Sequence, residues 1–254
     1  MKFALVGALV FLGCADPAPR DLRSLVQQGD LYLDRESMRP YAGPVYRFFG
    51  GDSMRVEFNG TLKDGLLHGS YEDHRPTAVE ENSGIYETGT YLHGLKEGPF
   101  ELHYPSHQLR GRGTYVRGRE NGPYESFHEN GQLRSRATYL DGRLEGTLES
   151  FYENGQLSER STYRNGQWEG LFESYFPNGQ VRAKGSYAPG LDMFGEGRQV
   201  PTETGLWEYY LQDGRLLEKG SYYLGARCGV WLSPNSRTAL VDQVTHPPCP
   251  ERGG

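Results

Sequence analysis

Along most of this chain, large apolar or aromatic side chains alternate with charged and hydroxylated ones at a period of two. The alternating runs are split by Asn-Gly or Asp-Gly, as in GPYESFHENGQLRSRATYLDGRLE, GTLESFYENGQLSERSTYRNGQWE and GLFESYFPNGQVRAKGSYAPG. A period of two is that of a half-buried strand, and Asn-Gly between two such runs is the strongest short-range hairpin signal. Hairpin turns are therefore expected at Asn130-Gly131, Asn154-Gly155, Asn178-Gly179 and Asp213-Gly214, with both turn residues at positive φ. A second set of turns, such as Asp141-Gly142 and Asn165-Gly166, joins each hairpin to the next. The pattern predicts an up-and-down meander with one hairpin per repeat.

The repeat itself is visible in the glycines. Gly98, Gly122, Gly146 and Gly170 stand 24 residues apart, Gly205 and Gly229 continue at that interval, and Gly94, Gly118, Gly142, Gly166, Gly190 and Gly225 form a second column. Two residues after the first column comes a large side chain: Phe100, Tyr124, Leu148, Phe172, Trp207 and Trp231. A fixed period of this length is the mark of a stacked repeat architecture.

Two-residue turns also fix a register. They place Glu101 opposite Arg112, Glu125 opposite Arg136, Glu149 opposite Arg160, Glu173 opposite Lys184 and Glu208 opposite Lys219. All five are opposite charges, so these are candidate cross-strand ion pairs that disfavour slipped strands. The same rule sets Tyr124 against Ala137, Phe172 against Gly185, Trp207 against Gly220, Tyr152 against Leu157 and Phe176 against Val181. One face then carries rings and aliphatics, including the tyrosine column 91, 115, 139, 163, 187 and 222, and the other carries the Glu and Arg ladder.

These blocks resemble the MORN-variant repeat family over roughly Gly60 to Trp231, through the Y-x-x-G-x-x-x-G spacing, the aromatic-E-x-aromatic strand and the NGQL turn. The resemblance implies an all-β fold, a single elongated antiparallel meander of β-hairpins with a period near 24, and a role in binding proteins or, less securely, membrane lipid. It also extends to a bacterial antitoxin-like family built from this repeat, which implies neutralisation of a toxin partner. Two insertions break the period, one in the hairpin turn within DHRPTAVEENSG and one between hairpins within LDMFGEGRQVPTETG. Loops on a rigid scaffold are where specific contacts are built.

The flanks read differently. Residues 1–14 resemble a lipoprotein signal: Lys2, an apolar run from Phe3 to Gly13 too short to span a bilayer, then Cys14 as the lipid-attachment residue. Phe11 stands where that family usually has Leu, and a simple export signal is the other reading. Residues 15–40 read as a linker with a short helix over Asp21 to Gln28, residues 41–232 as the array, and residues 233–254 as an irregular proline-rich tail. With Cys14 lipidated, Cys228 and Cys249 are left as a disulfide in an oxidising compartment or as two free thiols.

Composition narrows the function. A hydrophobic content of 36% and a mean hydropathy of −0.70 suit a thin, repeated core. A net charge of −6 from interspersed Glu and Arg offers no basic stripe for nucleic acid. His93, His103 and His107 are the one cluster to weigh as metal ligands, but they read better as substitutions within repeats. Ser126, Ser150 and Ser174 recur at one strand position, which is repeat structure and not a nucleophile beside a base. No phosphate-binding glycine loop is present. The expectation is a non-enzymatic protein without cofactor or metal, lipid-anchored in a bacterial envelope and acting as a protein-interaction scaffold. The alternatives are antitoxin-like neutralisation and glycan or cell-wall binding through an open aromatic face.

Overall fold

The computed structural model describes residues 17–48, 56–74, 86–189, 201–234 and 241–250. The signal-like segment with Cys14 and the hearts of both insertions (75–85 and 190–200) lie outside the described residues. The chain divides into two compact units: Met1–Asp73 with Tyr91–Gly94, and His74–Thr90 with Leu95–Gly254.

In the first unit, the strand Gly43–Phe48 pairs antiparallel with Val56–Lys63, which pairs in turn with Gly69–Asp73. Arg20–Asp21 lies parallel to Gly43–Phe48 on its other side. Val45, Leu62, Phe58 and Tyr71 project from these strands into a core closed by Leu22, Leu25 and Tyr41. The expected linker with a short helix is corrected here. From Pro17 onward the segment packs against the sheet, and Leu22–Ser24 is a single 3₁₀ turn whose N-cap, Asp21, accepts from the Arg23 amide at 2.9 Å. Val26–Gln28 then pairs with Leu31–Leu33 across Gly29, at φ 60°. A capping residue does start a helical turn there. Burial of Leu22, Leu25 and Leu33 against the strands then bends the chain away from a helix.

The second unit is an antiparallel meander. Its hairpins are Gly98–His103 with Leu109–Val116, Gly122–Phe127 with Leu133–Leu140, Gly146–Phe151 with Leu157–Arg164, Gln167–Tyr175 with Val181–Ala188, and Thr202–Tyr210 with Leu216–Tyr223. Each hairpin also pairs with the next, as in Arg112 opposite Glu125, Arg136 opposite Glu149 and Lys184 opposite Glu208. The five Glu-to-Arg or Glu-to-Lys alignments expected within hairpins are the observed strand partners.

The turn that produces this register differs from the expected one. The His128 amide donates to the Gln132 carbonyl and the Gly131 amide to the His128 carbonyl, so three residues, Glu129 to Gly131, form the loop. Gly131 has φ 81°, but Asn130 is absent from the positive-φ residues. Three loop residues alone would displace the register by one. A bulge restores it: Ser126 faces Ser135 while Phe127 faces Leu133, leaving Arg134 unmatched. Two departures cancel in the body of the strand and not beside the turn. Leu157 therefore faces Phe151 and not Tyr152, and Val181 faces Tyr175 and not Phe176. The two-residue turns with both residues at positive φ lie instead at the joins between hairpins, at Asp141-Gly142 (50° and 77°) and Asn165-Gly166 (50° and 80°).

The expected irregular tail is also corrected. Val241–Thr245 adds an antiparallel strand beside Ala226–Pro234, whose outer edge would otherwise be unpaired. The Gly229 amide donates to the Pro247 carbonyl, and Cys228 is bridged to Cys249.

Rings cover neighbouring backbone. A Cβ at Gly220 would lie 2.2 Å from the Trp231 indole, and one at Gly185 would lie 2.1 Å from that of Trp207. Trp207 and Trp231 are 2% and 1% exposed, and their indole N–H groups donate to the carbonyls of Ser186 and Ser221. Gly220→Ala is expected to destabilise the protein by about 1–3 kcal/mol through forced displacement of the indole, read as a lower urea midpoint. An unchanged midpoint would show that Trp231 does not rest on that backbone. Reducing the 228–249 bridge is expected to cost about 3 kcal/mol on the chain-entropy account, checked by urea unfolding with and without reductant.

Candidate binding surface

The Glu and Arg column makes its ion contacts at the joins between hairpins more than within them. Arg112 meets Glu125 at 2.7 Å, Arg136 meets Glu149, Arg160 meets Glu173 at 3.1 Å, and Lys184 meets Glu208 at 2.7 Å. Of the expected within-hairpin pairs, Glu149 with Arg160 is in contact, at 3.0 Å. The Glu101 carboxylate stands 3.4 Å from His103, and Lys219 is flanked by Glu208 on one strand and Leu232 on the other. The correction has a simple cause. The register rule considered only the strand across the Asn-Gly turn, while the strand across the join is just as near and also presents the opposite charge. The column thus alternates in sign over neighbouring strands. Arg112, Arg136 and Lys184 also lie over the rings of Phe127, Phe151 and Tyr210, at 5.7 to 5.8 Å from their centroids.

Glu149 is the most enclosed member, 9% exposed between two guanidiniums. The Arg136 hydrogen bond, and after it that of Arg160, holds its carboxyl below the ordinary glutamate value against the opposing effect of burial. Lys184 and Tyr210 lower Glu208 in the same way.

The opposite face packs its rings on each other: Phe100 on Tyr115 at 4.3 Å, Tyr187 on Trp207 at 5.1 Å, and Tyr222 on Trp231 at 4.9 Å. Burial, then Glu203, pushes the Tyr187 phenol up to about 12. Near the Asn-Gly edge this face holds a groove of about 600 Å³. Ser126, Ser135, Ser150 and Ser158 line it as hydroxyls, with Ser126 and Ser135 hydrogen-bonded at 2.6 Å. Leu102, Tyr124 and Leu148 supply apolar surface. The charged or titratable groups of its lining, beyond Tyr124, are Arg110, Arg134 and His128, and no carboxylate is among them. Burial and Glu120 raise the Tyr124 phenol above its ordinary value, and Arg110 and Arg134 pull it back.

One repeating contact has no counterpart in the sequence reading. Tyr104, His128 and Tyr152, spaced at 24, reach the next repeat's carbonyls at Phe127, Phe151 and Tyr175 over 2.7 to 2.9 Å. A carbonyl only accepts, so His128 carries a proton on Nε2 and serves in place of a tyrosine hydroxyl. Asn130, Asn154 and Asn178 do likewise, each side-chain amide donating to a carbonyl of the following turn, at Glu153, Pro177 and Gln212. The signal is present in two period-24 columns at the turn edge, an Asn column that reads as turn chemistry and a Tyr or His column that reads as part of the strand.

The weighed histidines are distributed elsewhere. His103 stacks on Tyr86 at 4.8 Å, and the Tyr86 hydroxyl meets His107 Nδ1 at 2.8 Å. His93 sits in the first unit, its ring 5.4 Å from that of His68. Among the described residues no three His, Cys, Asp or Glu side chains are grouped to hold a metal ion, and no helix is long and apolar enough to cross a membrane.

Fold and surface together define an all-β protein of stacked hairpin repeats. Comparison with known families gives the repeat its name: the MORN repeat variant matches residues 120–141, 144–165 and 168–188. No curated protein sequence matches the chain. Among solved structures, one match is a crystal structure of an S. aureus TarM mutant in complex with Fondaparinux, alpha-GlcNAc-glycerol and UDP. Identity is 13% and the TM-score 0.24, over 42% of this chain and 19% of that one. At that TM-score the likeness carries no argument.

The lowered Glu149 and Glu208 carboxyls set a pH dependence. Their folded values lie below the free glutamate value of 4.5, so their contribution is present above about that pH and is lost as pH falls through the folded values. Stability in urea is expected to decline below about pH 4.5, and Glu149→Gln to flatten part of that decline while costing about 1 kcal/mol at pH 7. An identical acid limb in Glu149→Gln would remove the carboxylate from the account.

Proposed function

We propose that this protein is a non-enzymatic interaction scaffold, held at a bacterial envelope by lipid on Cys14, whose repeat array binds a partner protein along its ring-bearing face. The observation that carries this reading is the groove. Much of the array satisfies its own polar groups: charges of the ladder meet across joins, indole N–H groups donate to backbone, and turn amides bond the following repeat. The groove lining gathers cations without carboxylates beside apolar surface and hydroxyls. Such a mixture is what a protein interface offers. Neutralisation of a toxin is one form that the interaction would take. Sugar stacking on the ring face has less support, because Trp207 and Trp231 are buried and spend their N–H groups internally.

A photocrosslinking residue at Ser150, in the groove, and another at Leu171, which is 70% exposed, test this in the producing cells. A discrete protein adduct from position 150 and none from 171 is expected, and no adduct from 150 contradicts the reading. Cys14→Ser is expected to move the protein out of the membrane fraction. Unchanged fractionation rules out lipid there.

A further inference from the structure

The bulges beside the Asn-Gly turns carry more than register. In the five successive hairpins the residue left without a strand partner is Arg110, Arg134, Ser158, Arg182 and Leu217. A bulged residue is freed from the ladder and its side chain is re-aimed. Arg110, Arg134 and Ser158 all line the groove. Among the described residues neither Arg110 nor Arg134 closes on a carboxylate, in contrast to Arg112, Arg136 and Arg160 on the opposite face. Arg110 is steadied over the Tyr104 ring at 5.7 Å, which leaves its guanidinium edge able to donate.

Spacing selects the ligand. Arg110 and Arg134 are one repeat apart, which is two strand separations, or about 9.6 Å across the sheet. A polyproline II segment presents every third residue on one side, with a rise of about 9.3 Å per three residues. Extended β chain places third neighbours on opposite sides, so it does not offer the same match. Aromatic-lined grooves suit polyproline II segments, and Tyr124 lines this one from the strand that lies between those of the two arginines.

We propose that the groove takes an acidic polyproline II segment of a partner protein, with a carboxylate at every third residue meeting Arg110 and Arg134 and a hydroxyl-bonding group reaching Ser158. This rests on the interaction reading above and deepens it by naming the ligand class. The test is fluorescence anisotropy of the full chain with a labelled peptide of four Glu-Pro-Pro triplets, against four Lys-Pro-Pro triplets and against Glu at every second position. The first is expected to bind at least about ten-fold tighter than either control, and more weakly as salt is raised. Arg110→Gln with Arg134→Gln is expected to weaken it about ten-fold with the circular dichroism unchanged. Should that variant unfold, Arg134→Lys keeps the charge and bulge but loses the guanidinium fork, and an intermediate affinity is expected. Equal affinity for the three peptides, indifference to the arginine changes, or phosphatidylglycerol vesicles binding in place of peptide would overturn the proposal. A crosslinked adduct at position 150 without peptide preference overturns the ligand class and leaves the interaction face standing. Peptide preference without an adduct overturns the cellular partner and leaves the groove.

Discussion

A two-stranded hairpin is too thin to bury an indole or to satisfy the polar groups along its edge, and isolated hairpins are marginal in water. In this array the burden passes to the neighbour. Trp231 rests on Gly220 and Trp207 on Gly185, while Tyr104, His128 and Tyr152 bond carbonyls of the following repeat. Nearest-neighbour dependence of this kind is what makes a repeat protein's stability a sum over interfaces. It also explains why glycine is needed where it occurs. At 185 and 220 the requirement is room beneath a ring, whereas at 142 and 166 it is a backbone turn at positive φ.

The same dependence organises the charges. A column of alternating sign gives each inner residue an opposite neighbour on both flanking strands, so a slipped join would oppose like charges or none. Individual surface pairs contribute little. Glu149 is the exception, since two arginines converge on a nearly buried carboxylate. On the ring face the bulges repeat as faithfully as the glutamates, and those at Arg110 and Arg134 bring two cations to a groove whose lining holds no carboxylate. The two faces thus use one period for different ends, one closed upon itself and one left with unmatched charge.

Much of this was legible in the amino-acid order. The period, the hairpins and the alignment of Glu125 with Arg136 follow from turn residues and alternation alone. That alignment survives a different turn, since a third loop residue and a bulged Arg134 offset each other, and the difference shows in the φ of Asn130 and in the partners of Tyr152 and Phe176. Bulges leave no compositional trace, because the extra residue looks like any other in an alternating run. The ion contacts at the joins do not follow from a register rule that pairs residues only within one hairpin. The packing of residues 17–40 depends on a core assembled from distant strands, and the strand at 241–245 on an open edge that only the folded array creates. Of the groove, the serine column is visible in the sequence, where its period marks it as repeat structure and nothing more.

Excising residues 122–145, one whole period, probes the nearest-neighbour principle at its root. The cut brings Arg112 to the seam with Glu149 and places Leu148 where Tyr124 stood, so the shortened chain is expected to stay β-rich and to unfold cooperatively in urea, with a lower midpoint and a smaller m-value. A shortened chain that is unfolded, or that melts as two unlinked transitions, would contradict the claim that equivalent interfaces between successive hairpins hold this protein together.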